Sequence, residues 1–124
     1  MKVLITEDEE FLLTAIEFRL KKEGYEAVFA ENSTPVVASI QNTKPDLLIL
    51  GLDSPNLNAR ELITNLQQND QPIPIIIIGT MEQRESILEL MRLGASDFLT
   101  KPFKPAELVL RVKNIFQEKG LESL

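Results

Sequence analysis

Apolar residues along the chain follow two alternating rhythms. Short unbroken runs, Val3-Leu4-Ile5, Leu47-Leu48-Ile49-Leu50 and Ile75-Ile76-Ile77-Ile78, leave no face for water, as expected of buried strands in a parallel sheet. Tyr25 to Ala30 and Asp97-Phe98-Leu99-Thr100 complete the strand-like set. Between these runs the spacing becomes helical. Phe11, Leu12, Ala15, Ile16, Phe18 and Leu20 form a wide stripe, and Val36, Val37 and Ile40 form a second inward face. Leu62, Ile63 and Leu66 form a third face, Ile87, Leu88 and Met91 a fourth, and Leu108, Val109, Val112, Ile115 and Phe116 a fifth.

The punctuation agrees with the rhythm. Ser33 is a cap for the second helix, with Pro35 in its first turn, and Thr43-Lys44-Pro45 breaks that helix. Asn58 with Glu61 and Thr80 with Gln83 have capping-box spacing. Gly24, Gly94 and Gly120 stand where helices stop, and Pro105 suits a first helical residue. Strand followed by helix, five times, predicts an α/β fold: one parallel sheet with helices on both faces, joined by right-handed crossovers. Without a linker or low-complexity tract, residues 1–124 are expected to form a single domain.

Composition narrows the chemistry. Apolar residues at 44% and charged residues at 26% are ordinary for a soluble globular chain. A net charge of −6 argues against a nucleic-acid partner, which needs a basic face. Neither cysteine nor histidine is present, so disulfides, thiolate chemistry and the commonest general base are excluded. No basic-then-apolar leader and no run of membrane length is visible, which points to a cytoplasmic protein away from membranes.

In open parallel sheets, ligands sit beyond the carboxyl ends of the strands. The residues expected there are Glu7, Asp8 and Glu9 after the first strand and Gly51 and Asp53 after the third. Gly79 and Thr80 follow the fourth, and Lys101 follows the fifth. Crowded carboxylates favour a proton, a cation or a basic partner, and such hard oxygens suit magnesium. Lys101 can instead supply the counter-charge from within. Glu7 to Glu10 read equally well as a solvated first helical turn favoured by the helix dipole.

Three stretches carry a family resemblance over the whole chain: Ile5-Thr6-Glu7-Asp8-Glu9, Pro45-Asp46 with Pro55, and Gly94-Ala95-Ser96-Asp97-Phe98-Leu99-Thr100-Lys101-Pro102-Phe103. Together they resemble the receiver domain of two-component response regulators. The resemblance implies a flavodoxin-like (βα)5 three-layer sandwich with strand order 2-1-3-4-5 and a cis Lys101–Pro102 bond. It implies that an acidic pair (Glu7, Asp8), an acceptor aspartate at position 51, a switch Ser or Thr at position 79, a switch aromatic at Phe98 and the conserved-type lysine at Lys101 should serve phosphoryl transfer from a sensor kinase.

Two of those parts are missing. Gly51 has no carboxylate to attack phosphorus, and Gly79 has no hydroxyl. The expectation is a pseudo-receiver: not an enzyme, retaining a pocket of Glu7, Asp8, Asp53 and Lys101, and signalling through protein partners such as a sensor kinase, another regulator or an output protein. No cofactor is expected. Magnesium at Glu7 and Asp8 would be weakened by the lost ligand. Asp53 is expected to pair with Lys101 across a vacant pocket. Two alternatives stay open: phosphorylation at a relocated acid such as Asp53, and a small-ligand sensor using the emptied pocket. Asp97, Glu107 and Arg111 match charged positions of a dimer face in the transcription-factor subclass, with Ile87 at the remaining basic position, which leaves a weak homodimer there as an expectation.

Overall fold

A computed structural model describes residues 1–31, 35–54, 57–70, 72–118 and 120. Ser33, Pro55, Asn56 and 121–124 lie outside the described residues. The first half of the chain supplies β1 (Lys2–Thr6), α1 (Glu10–Lys22), β2 (Glu26–Phe29), α2 (Val36–Thr43) and β3 (Leu47–Gly51). The second half supplies α3 (Ala59–Gln67), β4 (Ile75–Gly79), α4 (Arg84–Leu93), β5 (Asp97–Thr100) and α5 (Pro105–Glu118). The strands form one parallel sheet in the order β2-β1-β3-β4-β5. This is the flavodoxin-like arrangement expected from the residues and the resemblance.

Side chains alternate across each strand, which is how uninterrupted apolar runs serve two cores. Val3, Ile5, Ile49, Ile76 and Ile78 pack with α1 and α5. Leu4, Leu48, Leu50, Ile75 and Ile77 pack with α2, α3 and α4 on the other face. Three sequence signals act locally as expected. Asn58 Oδ1 accepts from the Glu61 N–H at 3.1 Å and caps α3. Thr80 and Gln83 form a reciprocal capping box on a short 3-10 turn that runs into α4. Gly24 (φ +88°) and Gly94 (φ +124°) release α1 and α4 through backbone conformations that side-chain-bearing residues disfavour. The paired Pro45-Asp46 has a structural use: Asp46 Oδ2 accepts the Lys2 N–H at 2.7 Å, tying the start of β3 to β1. The Lys101–Pro102 peptide is cis.

Four residues of the expected inner faces point outward. Phe11 is 91% exposed and Phe18 68%. Val37 and Leu88 are also exposed, while Ile87 is buried. The reason is angular. The face of α1 that meets the sheet and α5 is centred on Ile16 and Leu20, with Leu12 and Leu13 at its margins. On a helix of 3.6 residues per turn, Phe11 and Phe18 then lie well round to the solvent side.

Candidate functional site

The carboxyl ends of β1, β3 and β5 converge on one ion pair. The Glu7 side chain is only 1% exposed, and its Oε2 lies 2.9 Å from Lys101 Nζ. The same oxygen accepts the Glu9 N–H at 2.9 Å. Glu9 Oε2 adds a second contact to the ammonium at 3.3 Å. Burial pulls the Lys101 pKa down, but its hydrogen bonds and Coulombic attraction to Glu7 and Glu9 outweigh this, so it stands above the ordinary 10.5. Lys101 is positioned by β5 through its own N–H, which donates to the Gly79 carbonyl at 2.8 Å.

Gly51 lies directly beneath this pair. A methyl group built on it would stand 2.6 Å from Glu7 Oε1 and 2.7 Å from the Thr6 carbonyl oxygen. The Glu7 carboxylate therefore fills the room that a side chain at residue 51 would need. Thr6 completes the closure: its hydroxyl oxygen accepts the Gly51 N–H at 3.3 Å and the Ser54 hydroxyl at 3.1 Å. Thr6 and Ser54 were not foreseen. Hydroxyls flanking a strand end were the only available signal.

Asp8 and Asp53 are not drawn into the cluster. Asp8 is exposed. Asp53 accepts from Gln83 Nε2 at 2.9 Å, so the expected Asp53–Lys101 pair is replaced by Glu7–Lys101. The internal glutamate outcompetes because it reaches the ammonium from the buried side, where low dielectric strengthens the pair. Gln83 serves the Thr80 cap as its spacing implies; its second bond, to Asp53, had no signal in the sequence. At Gly79 the space is likewise taken: an added methyl would meet Ile87 Cδ1 at 2.9 Å, Gln83 Oε1 at 3.0 Å and Leu52 Cδ1 at 3.2 Å. Both side-chain-free positions are thus backfilled, and the pocket expected to be vacant is occupied by the protein itself.

Magnesium does not fit this donor set. Among the described residues, the one buried carboxylate already faces an ammonium, residue 51 offers no oxygen ligand from a side chain, and no group of three acids is placed to hold a metal. An octahedral oxygen cage would have to displace Lys101 first.

Phe98 is partly exposed on the outer side of β5. Beside it Arg111 Nη1 donates to Asp97 Oδ1 and Oδ2 at 2.8 and 2.9 Å, and Nη2 lies 3.5 Å from Glu107 Oε1. The hydrogen bonds to Asp97 dominate over burial and raise the Arg111 pKa. These three charges satisfy one another within the chain. Ile87, matched to the fourth charged position, is in the core and offers nothing to that face.

Residues 3–113 match the model of the response regulator receiver domain. The chain is 31% identical over 120 residues to the alkaline phosphatase synthesis transcriptional regulatory protein PhoP of Bacillus subtilis, covering 97% of this chain and 50% of that protein. It is 34% identical over 120 residues to the phosphate regulon transcriptional regulatory protein PhoB of Pseudomonas aeruginosa, covering 95% and 52%. It thus spans about half the length of these curated relatives. A response regulator from Chloroflexus aurantiacus superposes with a TM-score of 0.80 at 30% identity, over 94% of this chain and 97% of that one. The receiver domain of the TMAO respiratory regulator TorR superposes with 0.82 at 28% identity, over 94% and 97%. With the sheet order, the cis Lys101–Pro102 bond and a family match across most of its length, the chain belongs to the response regulator receiver domain family.

Proposed function

We propose that this receiver domain is not phosphorylated at the strand-three position and passes its signal by protein–protein contact. The observation that carries the reading is Gly51 with the Glu7 carboxylate lodged over it and neutralised by Lys101. Phosphoryl transfer to a receiver needs a carboxylate oxygen in line with phosphorus, and errors of about 1 Å already cost heavily. Here the position has no side-chain oxygen, and the space above it is filled. The module is then a docking element rather than an enzyme. Its partners are a sensor kinase, another regulator or an output protein in the cytoplasm, not nucleic acid. The net charge of −6 supports the last point, and among the described residues no helix is long and apolar enough to cross a membrane.

Incubating the purified chain with acetyl phosphate and magnesium should leave its intact mass unchanged. A gain of about 80 Da, the mark of one phosphoryl group, would overturn the reading. If that gain disappeared in Asp53→Asn, the acceptor would be the relocated acid.

A further inference from the structure

The solvent side of α1 carries a pattern that plays no part in the pocket. Phe11 and Phe18 are 91% and 68% exposed. Seven residues apart, they lie on one stripe of the helix, separated by about 10 Å of rise, with the small Ala15 between them. Large apolar side chains displayed in this way mark an interaction surface.

Charge divides the same helix. Asp8, Glu9 and Glu10 cluster at its start, and Arg19, Lys21 and Lys22 at its end. Several of these charges have partners inside the chain: Glu9 with Lys101, Lys21 with Glu17, and Glu23 beyond the helix end with Lys113. Among the described residues, the side chains of Asp8, Glu10, Arg19 and Lys22 have none. The unsatisfied acids thus sit at one end of the aromatic stripe and the unsatisfied cations at the other.

A surface that is acidic at one end, basic at the other and aromatic between is complementary to itself turned end for end. Two-fold symmetry provides that relation, because an isologous contact sets each patch against its own copy. We infer that α1 is a self-association surface: two copies pair antiparallel through α1, about a dyad passing between Thr14 and Ala15. Phe11 of each copy then packs on Phe18 of the other. The acidic first turn of each lies against the basic last turn of its partner, and the small residues at the dyad let the helices approach.

The contact is a weak one. A single helix pair covers less than the roughly 1,200–2,000 Å² of stable complexes. Each copy also carries a net charge of −6, so long-range repulsion opposes encounter until salt screens it. A dissociation constant of about 0.1 mM is expected for such a patch.

Sedimentation equilibrium in about 0.15 M salt tests this. The wild type should pass from monomer towards dimer as concentration rises through about 0.1 mM. Phe11→Ser/Phe18→Ser, whose replaced side chains are exposed and whose fold is checked by circular dichroism, should remain monomeric. Two charge variants sharpen the test. Arg19→Glu/Lys22→Glu makes both ends acidic, and Asp8→Lys/Glu10→Lys makes both ends basic. Each alone should associate about tenfold or more less tightly than wild type, while an equimolar mixture of the two should regain dimers. A wild type monomeric at about 1 mM would overturn the inference. So would association that persists in the double serine variant, charge variants that fail to recover on mixing, or association abolished by Arg111→Glu, which would place the contact on the β5–α5 face instead.

Discussion

Gly51 and Gly79 lack side chains in different surroundings, and this separates their tolerance to change. At Gly51 a new methyl group meets a backbone carbonyl oxygen, that of Thr6, at 2.7 Å as well as the buried Glu7 carboxylate. A backbone oxygen in a parallel ladder cannot step aside without disturbing β1. At Gly79 the obstacles are the ends of the Ile87, Gln83 and Leu52 side chains, which can rotate. Gly51→Ala should therefore cost about 1–3 kcal/mol by overpacking. Gly79→Ala should be milder by about 1 kcal/mol or more, because side-chain ends yield more readily than a backbone oxygen while the unfolded-chain effect is common to both variants. Urea midpoints of the two variants would decide the matter, and equal losses would contradict the distinction. At this scale the sequence was legible in part. Counting along each strand located Gly51, Gly79 and Lys101 at the sheet's carboxyl edge. Which acid meets Lys101 was not legible: that depends on the reach of Glu7 from the buried side and on Asp53 finding Gln83, both set by three-dimensional proximity.

The strands were the most legible elements, since uninterrupted runs such as Ile75 to Ile78 allow little besides burial on both faces. Helix faces were less so. The direction in which α1 looks is fixed jointly by the neighbouring strands and by α5, which lies far away in sequence, and a stripe broad enough to include Phe11 and Phe18 has more than one possible centre. By contrast, α5 shows five consecutively spaced apolar positions, all of them buried: Leu108, Val109, Val112, Ile115 and Phe116. Phe116 is the anchor. It is fully buried, and its ring lies 5.3 Å from that of Tyr25 at a tilt of 55°, a favourable aromatic geometry. Truncation to alanine would leave a cavity between α5, α1 and the sheet. Phe116→Ala should cost about 3–5 kcal/mol, a large share of the roughly 5–15 kcal/mol stabilising a domain of this kind. A loss below about 1 kcal/mol by urea unfolding would mean that α5 is not anchored through this ring.

Across the whole molecule, the charge pattern links the closed pocket to stability. The sheet brings β1 and β5 to opposite sides of β3, and the buried polar tie between their carboxyl ends runs from Glu7 to Lys101, with Glu9 as a second, more exposed partner of the same ammonium. That tie depends on the lysine proton. The folded protein holds this proton above the ordinary value of 10.5, so at alkaline pH the native state binds more protons at this site than the unfolded chain does. Stability must then fall with rising pH through that interval, by the linkage between proton uptake and unfolding. Below 10.5 the contribution is fully present; it disappears as pH passes the raised folded value. The chain has no histidine, so no imidazole titration intervenes near neutrality. Other groups also titrate in alkali, and comparison with Lys101→Met isolates this one. At neutral pH the variant leaves the Glu7 carboxylate buried without its cation, a situation that costs about 3–5 kcal/mol when the pair is well enclosed and less here because the lysine retains 20% exposure. The stability gap between wild type and variant should hold constant from pH about 7 to 9.5 and narrow steadily above about 10.5. A gap that stays fixed to pH about 11.5 would show that the ammonium is not what holds the strand ends together.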